Sequence, residues 1–246
     1  MEIIISESKQ ILGKKAAQTG AGIIRKAILA RGKANIIVAT GASQFEMLKE
    51  LAKEDIEWSR VSAFHLDEYI GISVTHPASF RKYLKERFVD IVSPSEFFYI
   101  NGNTDPLEEC ARLGKLIDNH PIDVAFVGIG ENSHLAFNDP PADFETNEAY
   151  IPVILNEDCR RQQMGEGWFP AISDVPEKAI SMTIKQIMKS KAIICSVPDS
   201  RKADAVKKTI EGPIGPAIPA SIMRRHTNAW LFLDKDSASL INHPTS

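Results

Sequence analysis

The chain has 246 residues, with 29 Lys+Arg against 32 Asp+Glu, a net charge of −3, 43% hydrophobic and 25% charged side chains. These ordinary globular values exclude a wholly disordered chain, and the scattered charge leaves no basic block to grip nucleic acid or a membrane surface. Cys110, Cys159 and Cys195 are far apart and lack C-x-x-C spacing, which argues against a disulfide framework or a structural zinc site. The first seven residues, Met-Glu-Ile-Ile-Ile-Ser-Glu, have no basic segment leading into a long apolar run, so they do not read as a signal peptide. No apolar run is long enough to span a bilayer, and the expected location is the cytoplasm.

In chain order, residues 3–5 read as a strand and residues 10–30 as a helix with Leu12, Ala16, Ile23, Ile24, Ala27 and Ile28 towards one side. A strand at 36–39 and a helix carrying Phe45, Leu48, Leu51 and Ala52 follow. Further strands are expected at 61–64, 97–100, 124–129, 192–197 and 229–233. The strand runs are nearly continuous in apolar residues, as strands buried on both faces are. The expectation is an α/β fold: a three-layer, mostly parallel open sheet with helices on both faces, a modified Rossmann-like architecture in one domain over 1–246. Residues 212–219, with three prolines and two glycines, read as a rigid loop. Residues 156–176 are polar and irregular, which suggests a lid over a site.

Ligands of such sheets bind beyond the carboxyl ends of the strands, so the residues just after each strand matter most. Thr40-Gly41-Ala42-Ser43 leads into a helix start whose free N–H groups suit a phosphate, and Ser43 and Glu46 have capping-box spacing. A plain glycine turn with a helix cap reads equally from this segment. After 61–64 comes His65-Leu66-Asp67-Glu68-Tyr69. Asp67 suits a general base in a cleft, while a solvated loop anchored by Tyr69 is the rival reading. After 124–129, His134 sits in a polar loop with Asn132 and Asp139 nearby. An aspartate can fix the tautomer of such a histidine and make it a proton shuttle; a structural histidine bonded to a carbonyl is the alternative. Lys202 follows 192–197 and opens another helix, where it could meet an anion or simply face solvent. The six histidines, at 65, 76, 120, 134, 226 and 243, show no zinc-binding spacing, and no G-x-S-x-G occurs. The combination points to a small phosphorylated substrate and proton transfer, with no metal and no cofactor.

These boxes resemble the glucosamine-6-phosphate deaminase (isomerase) family over most of the chain. The resemblance rests on Thr40-Gly41-Ala42-Ser43, on Leu66-Asp67-Glu68-Tyr69 with Gly71, on the His134-containing box ending in Phe137-Asn138-Asp139-Pro140, and on Ser200-Arg201-Lys202-Ala203. It implies a cytoplasmic enzyme that opens the ring of glucosamine 6-phosphate, moves a proton from C2 to C1, and hydrolyses the resulting imine to fructose 6-phosphate and ammonia. Asp67 would carry the proton between carbons. His134, oriented by Asp139 and Asn132, would serve ring opening. Thr40, Gly41, Ala42, Ser43 and Lys202 would hold the phosphate. The chain departs from the family pattern at Ala42 and Ser133, where glycine is usual, and at Asp139, where glutamate is usual. The family lid carries an Arg that meets phosphate, for which Arg160 or Arg161 would have to substitute. Glu148-Ala149-Tyr150-Ile151 stands where allosteric members carry basic residues.

Two other readings compete. One keeps the chemistry but changes the sugar, to galactosamine 6-phosphate or another phosphosugar. The other is a non-catalytic sugar-phosphate sensor, as in the ligand domains of DeoR-type repressors. Those normally carry an added helix-turn-helix, whereas this sequence starts with a strand. The expected partner in either case is a small sugar phosphate rather than nucleic acid or membrane, and a homo-oligomer is compatible with the sequence.

Overall fold

The computed structural model describes residues 1–242. Seven strands form a fully parallel sheet in the order β1-β10-β9-β6-β2-β3-β5. They are β1 (Glu2–Ser6), β2 (Ala34–Val38), β3 (Val61–His65), β5 (Glu96–Phe98), β6 (Val124–Val127), β9 (Ile193–Val197) and β10 (Ala229–Asp234). Every residue of β2, β3, β6 and β9 is buried, which is why these segments read as unbroken apolar runs.

The two sheet faces hold separate cores. Alternate residues Ile36, Val38, Phe126, Ile194 and Phe232 pack under α1 (Lys9–Arg31) and α2 (Phe45–Leu51). Ile37, Ala125, Val127, Cys195 and Leu231 face the other way. That side is covered by α5 (Pro106–Asp118), α7 (Ile184–Met188) and α8 (Ala203–Glu211). Helix α1 starts where the Ser8 side chain accepts the Ile11 N–H and stops at Gly32, which takes φ 75°. Its buried face is built of small residues. A Cβ on Gly20 would lie 2.3 Å from the Phe126 ring, so the helix approaches the sheet as closely as glycine allows. After β3 the chain runs through α3 (Phe80–Leu84), a π-turn and α4 (Asp90–Val92).

Three points differ from the sequence reading. A second, antiparallel sheet, in the order β4-β8-β7, sits beside the first and comprises β4 (Asp67–Tyr69), β7 (Tyr150–Ile154) and β8 (Lys178–Met182). Residues 67–69 are therefore not a solvated loop: Asp67, Glu68 and Tyr69 are all buried. The segment 156–176 is not irregular but opens with α6 (Glu157–Gly165), capped by Asn156, whose side chain accepts the Cys159 N–H. The capping box of Ser43 and Glu46 does not form. A 3₁₀ turn at Ala42–Gln44 precedes α2, placing Ser43 inside the first turn with no side-chain cap bond. None of the described helices is long and apolar enough to cross a membrane.

Candidate functional site

Strands β3, β2, β6 and β9 are consecutive in the sheet, and the direction of winding reverses between β2 and β6. Their carboxyl ends therefore splay apart into the crevice where open α/β sheets hold ligands. A cavity of about 60 Å³ lies there, lined by Thr40, Gly41 and Ser43 after β2, Asp67 after β3, Gly128, Ile129, Gly130 and His134 after β6, and Lys202 after β9. The 156–176 segment, expected as a lid, supplies Gln162, Gln163 and Glu166.

The 40–43 loop turns on Gly41, at φ 95° and ψ 164°, a conformation open only to glycine. Ala42 begins the 3₁₀ turn at an ordinary negative φ, so its lost glycine matters little. Ala42 itself does not line the cavity. Gln44 is fully buried beneath the loop and its Nε2 donates to the carbonyls of Val127 (3.3 Å) and Ser196 (3.2 Å) and to Ser43 Oγ (3.2 Å). This side chain, which nothing in the sequence singled out, pins the loop across the ends of two neighbouring strands.

Alternation along β4 sends adjacent carboxylates to opposite fates. Asp67 lines the cavity, and burial, with Glu68 beside it, pushes its carboxyl up to about 8. Glu68 points away and accepts from Ser79 Oγ and from the backbone N–H groups of Tyr69, Phe80 and Arg81, the last two at the start of α3. Arg81 Nε reaches it at 3.2 Å. Burial still holds the Glu68 carboxyl above its usual range, against these bonds. His65, just upstream, is buried, and burial with Arg81 nearby lowers it to about 3, so it stays neutral.

His134 Nδ1 lies 3.1 Å from Asp139 Oδ1, and Asn132 Nδ2 donates to the same oxygen at 2.9 Å. Asn132 Oδ1 in turn accepts the His134 backbone N–H. The shorter aspartate thus does reach the histidine. Asp139 Oδ2 accepts the Asn156 N–H, at the cap of α6. Burial raises the Asp139 carboxyl, but the bonds and charge from His134, with Asn132 and Asn156, outweigh it and hold the group ionised. Two backbone features seat the imidazole. Ser133 adopts φ 68°, the left-handed conformation that explains why glycine would be easier there. Gly130 leaves room for the ring, since a Cβ would fall 2.2 Å from Nε2. Cys159 Sγ, His134 and Asp139 bring ligand atoms within 4.8 Å of one another, a grouping that sequence spacing did not reveal. Burial, with Asp139 and Asp67 near, holds the Cys159 thiol well above its usual range, so it stays protonated.

Lys202 ends a 3₁₀ turn at the start of α8, with its side chain 5% exposed, and burial lowers it against the pull of Glu166. Asn132 and Asp139 stand behind His134 rather than on the cavity wall. Arg160 and Arg161 are not brought to the cavity. Arg160 Nη2 donates to the carbonyls of Ile172 and Val175, closing the lid segment on itself. Arg161 is exposed and pairs with Glu157 one helical turn back. The face of α6 turned inward carries Gln162 and Gln163 instead. Gln162 Oε1 accepts the Glu131 N–H at 2.7 Å, and Gln163 Oε1 accepts the Tyr69 hydroxyl at 2.8 Å.

A glycine-turned loop, a buried carboxyl, a histidine–aspartate pair and a buried lysine meet around one cavity at the switch point of an open α/β sheet. The family model for glucosamine-6-phosphate isomerases/6-phosphogluconolactonase matches residues 7–232, and the chain belongs to that family. It is similar to glucosamine-6-phosphate deaminase of Listeria monocytogenes serotype 4a (strain HCC23), 36% identical over 98% of this chain and 100% of that one. The same enzyme of Streptococcus pneumoniae serotype 4 (strain ATCC BAA-334 / TIGR4) is 32% identical over 97% and 99%. Among solved structures, a monomeric glucosamine-6-phosphate deaminase superposes with a TM-score of 0.88 at 32% identity, covering 98% of this chain and 100% of that one. The Trypanosoma brucei 6-phosphogluconolactonase, at a TM-score of 0.80 and 15% identity over 97% of each chain, shares the fold.

Proposed function

We propose that this chain is an amino-sugar phosphate isomerase and deaminase that converts glucosamine 6-phosphate and water to fructose 6-phosphate and ammonia. The observation that carries the reading is that Asp67 and His134 line the same small cavity as Thr40, Gly41, Ser43 and Lys202. Full-length relatives named for that activity support it.

The chemistry follows from the placement. The phosphate is held by the Thr40, Gly41 and Ser43 segment and Lys202, which fixes C1 and C2 of the sugar at a set distance from the base. His134 presents Nε2 to the ring oxygen while Asp139 holds Nδ1, so one proton can pass from the anomeric hydroxyl to the ring oxygen and open the ring. The C1 aldehyde acidifies the C2 hydrogen. Asp67 takes that hydrogen as a proton, leaving an enol-amine, and returns it to C1. The C2 imine then adds water and releases ammonia. A carboxylate whose proton affinity is raised to about 8 is a stronger base than an exposed one, which suits abstraction from carbon. The same shift keeps Asp67 mostly neutral in the empty site below that pH, so ionisation of the base limits the reaction on the acid side.

All these side chains belong to one chain, so the proposed chemistry calls on no residue of a second copy. Ammonium release from glucosamine 6-phosphate tests the reading, with galactosamine and N-acetylated 6-phosphates in parallel. Release from glucosamine 6-phosphate that vanishes in a folded Asp67→Asn variant is expected. Tight binding without turnover by the wild type would favour a sensor instead.

A further inference from the structure

The cradle assigned to phosphate already holds an anion. Glu166, the residue that follows α6 and caps its carboxyl end, lines the cavity and extends its carboxylate to the 40–43 loop. One oxygen, Oε1, lies 3.8 Å from Lys202 Nζ, with both side chains almost wholly buried. The other, Oε2, lies over Gly41, 3.9 Å from where a Cβ there would stand. Gln162 Nε2 donates to Oε1 at 2.9 Å and Trp168 Nε1 to Oε2 at 3.3 Å.

A buried carboxylate is stable only where cations and donors surround it. Here the cation is Lys202, the one already assigned to the substrate's phosphate. A phosphate dianion seated on Lys202 and the 40–43 loop would share a dehydrated pocket with the Glu166 carboxylate a few ångströms away, where like charges repel strongly. The cavity is also small, about 60 Å³, with Glu166 part of its lining. The side chain that must leave is flanked by Gly165 and Gly167, the latter at φ 84°, so the backbone on either side can rotate.

We propose that Glu166 is an internal occupant of the phosphate cradle, displaced by the substrate's phosphate, and thereby sets both the affinity and the phosphate-dependence of the site. The proposal rests on the reading of the cradle given under Proposed function. An unphosphorylated amino sugar brings nothing that competes for Lys202, so it leaves Glu166 in place and the cavity small. A phosphorylated one trades its own charge for that of Glu166, and the observed affinity is the difference between the two pairings.

Calorimetric titration of inorganic phosphate, and steady-state turnover of glucosamine 6-phosphate, separate the possibilities. Glu166→Gln keeps the shape and the acceptor for Trp168 but removes the charge, and should bind phosphate about 10-fold tighter than wild type, with a matching fall in KM. Glu166→Asp retains the charge on a stem too short to cover Gly41, and should tighten binding by a smaller factor; it serves if the Gln variant folds poorly. Glu131→Gln removes an equal charge from the rim without emptying the cradle, and should change phosphate affinity by less than about threefold. Glu166 variants that bind phosphate no tighter than wild type, or more weakly, while turnover persists, overturn the displacement and leave the cradle standing. Equal tightening by Glu131→Gln overturns it too, because the effect would then be general charge. If neither wild type nor variants bind phosphate and no ammonium appears, the cradle reading itself fails.

Discussion

The two walls of the cavity are built on different physics. The sheet wall hangs on the ends of four buried parallel strands, and its side chains are locked from behind: Gln44 spans two strand ends, and Asn132 and Asp139 brace His134. The other wall, from the segment expected as a lid, is α6 and the residues after it. Its cavity side is polar, with Gln162 on the Glu131 amide, Gln163 on Tyr69 and Glu166 on Lys202, and behind them Cys159, Met164, Trp168 and Phe169 join a small apolar cluster around Tyr69. The sheet wall is set in two large apolar cores, whereas the other rests on a few hydrogen bonds and a small satellite cluster, so it is the wall expected to open first. A substrate that must enter and be sealed from water needs one wall of each kind.

That contrast can be broken most severely at the sheet wall. Asp67→Asn keeps the shape but cannot accept a proton, and should lower kcat for ammonium release by about 10³-fold or more. Asp139→Asn leaves His134 without its ionised partner and should cost about 10²-fold in kcat with a smaller change in KM. Gly130→Ala would push the imidazole out of its seat, and a loss comparable to Asp139→Asn, with an intact circular dichroism spectrum, is the expected result.

The pH dependence sharpens the comparison. With Asp67 raised from about 3.8 to about 8 by burial, the free enzyme's kcat/KM should rise with pH through that region, and its acid limb should disappear with the residual activity of Asp67→Asn. The same shift has a stability sign. Below the unfolded value both states are protonated and the burial of Asp67 costs nothing. Between the two values the unfolded state ionises and the folded one does not, so stability falls as pH rises and levels off above about 8. Asp67→Asn should therefore melt higher than wild type by an increment that grows from pH 4 to pH 8, on the order of 10 °C at the upper end. A constant increment across that range would mean the carboxyl is not buried as described.

The smallest effect belongs to the lid. Tyr69→Phe removes the hydroxyl that holds Gln163 and leaves that amide short of a donor. A loss of about 1 kcal/mol, read as a fall of about 2–4 °C in Tm, is expected, with kcat nearly unchanged. A large kcat effect would show that the two walls are less independent than their contacts suggest.

The sheet wall was legible in the sequence and the lid wall was not, for the same reason. Strands buried on both faces read as apolar runs, and the residues at their ends can be taken off in order, which is how Asp67, His134 and Lys202 were found. Asp-Glu-Tyr is too short and too polar to read as a strand, and β7 exposes every second or third residue, so the second sheet left no comparable signal. In α6 the inward residues are Cys159, Gln162 and Gln163 rather than a stripe of leucines. A glutamine that faces a cavity is indistinguishable in sequence from one that faces water. Glu166 is the extreme case, because a carboxylate is read as solvent-exposed unless its cation is known, and Lys202 lies far along the chain. Arginines 160 and 161 were named because the resembled family's lid carries a phosphate-binding arginine, and residue type does not say which side of a helix is inside.

Asp139 divides its two oxygens between two regions. One receives the imidazole of His134 and the Asn132 amide, the other the Asn156 N–H at the cap of α6. A single small side chain therefore joins the histidine proposed for ring opening to the start of α6. On that reading, any tilt of α6 at this end would pull on the imidazole, and ring opening would be tied to the seating of the helix.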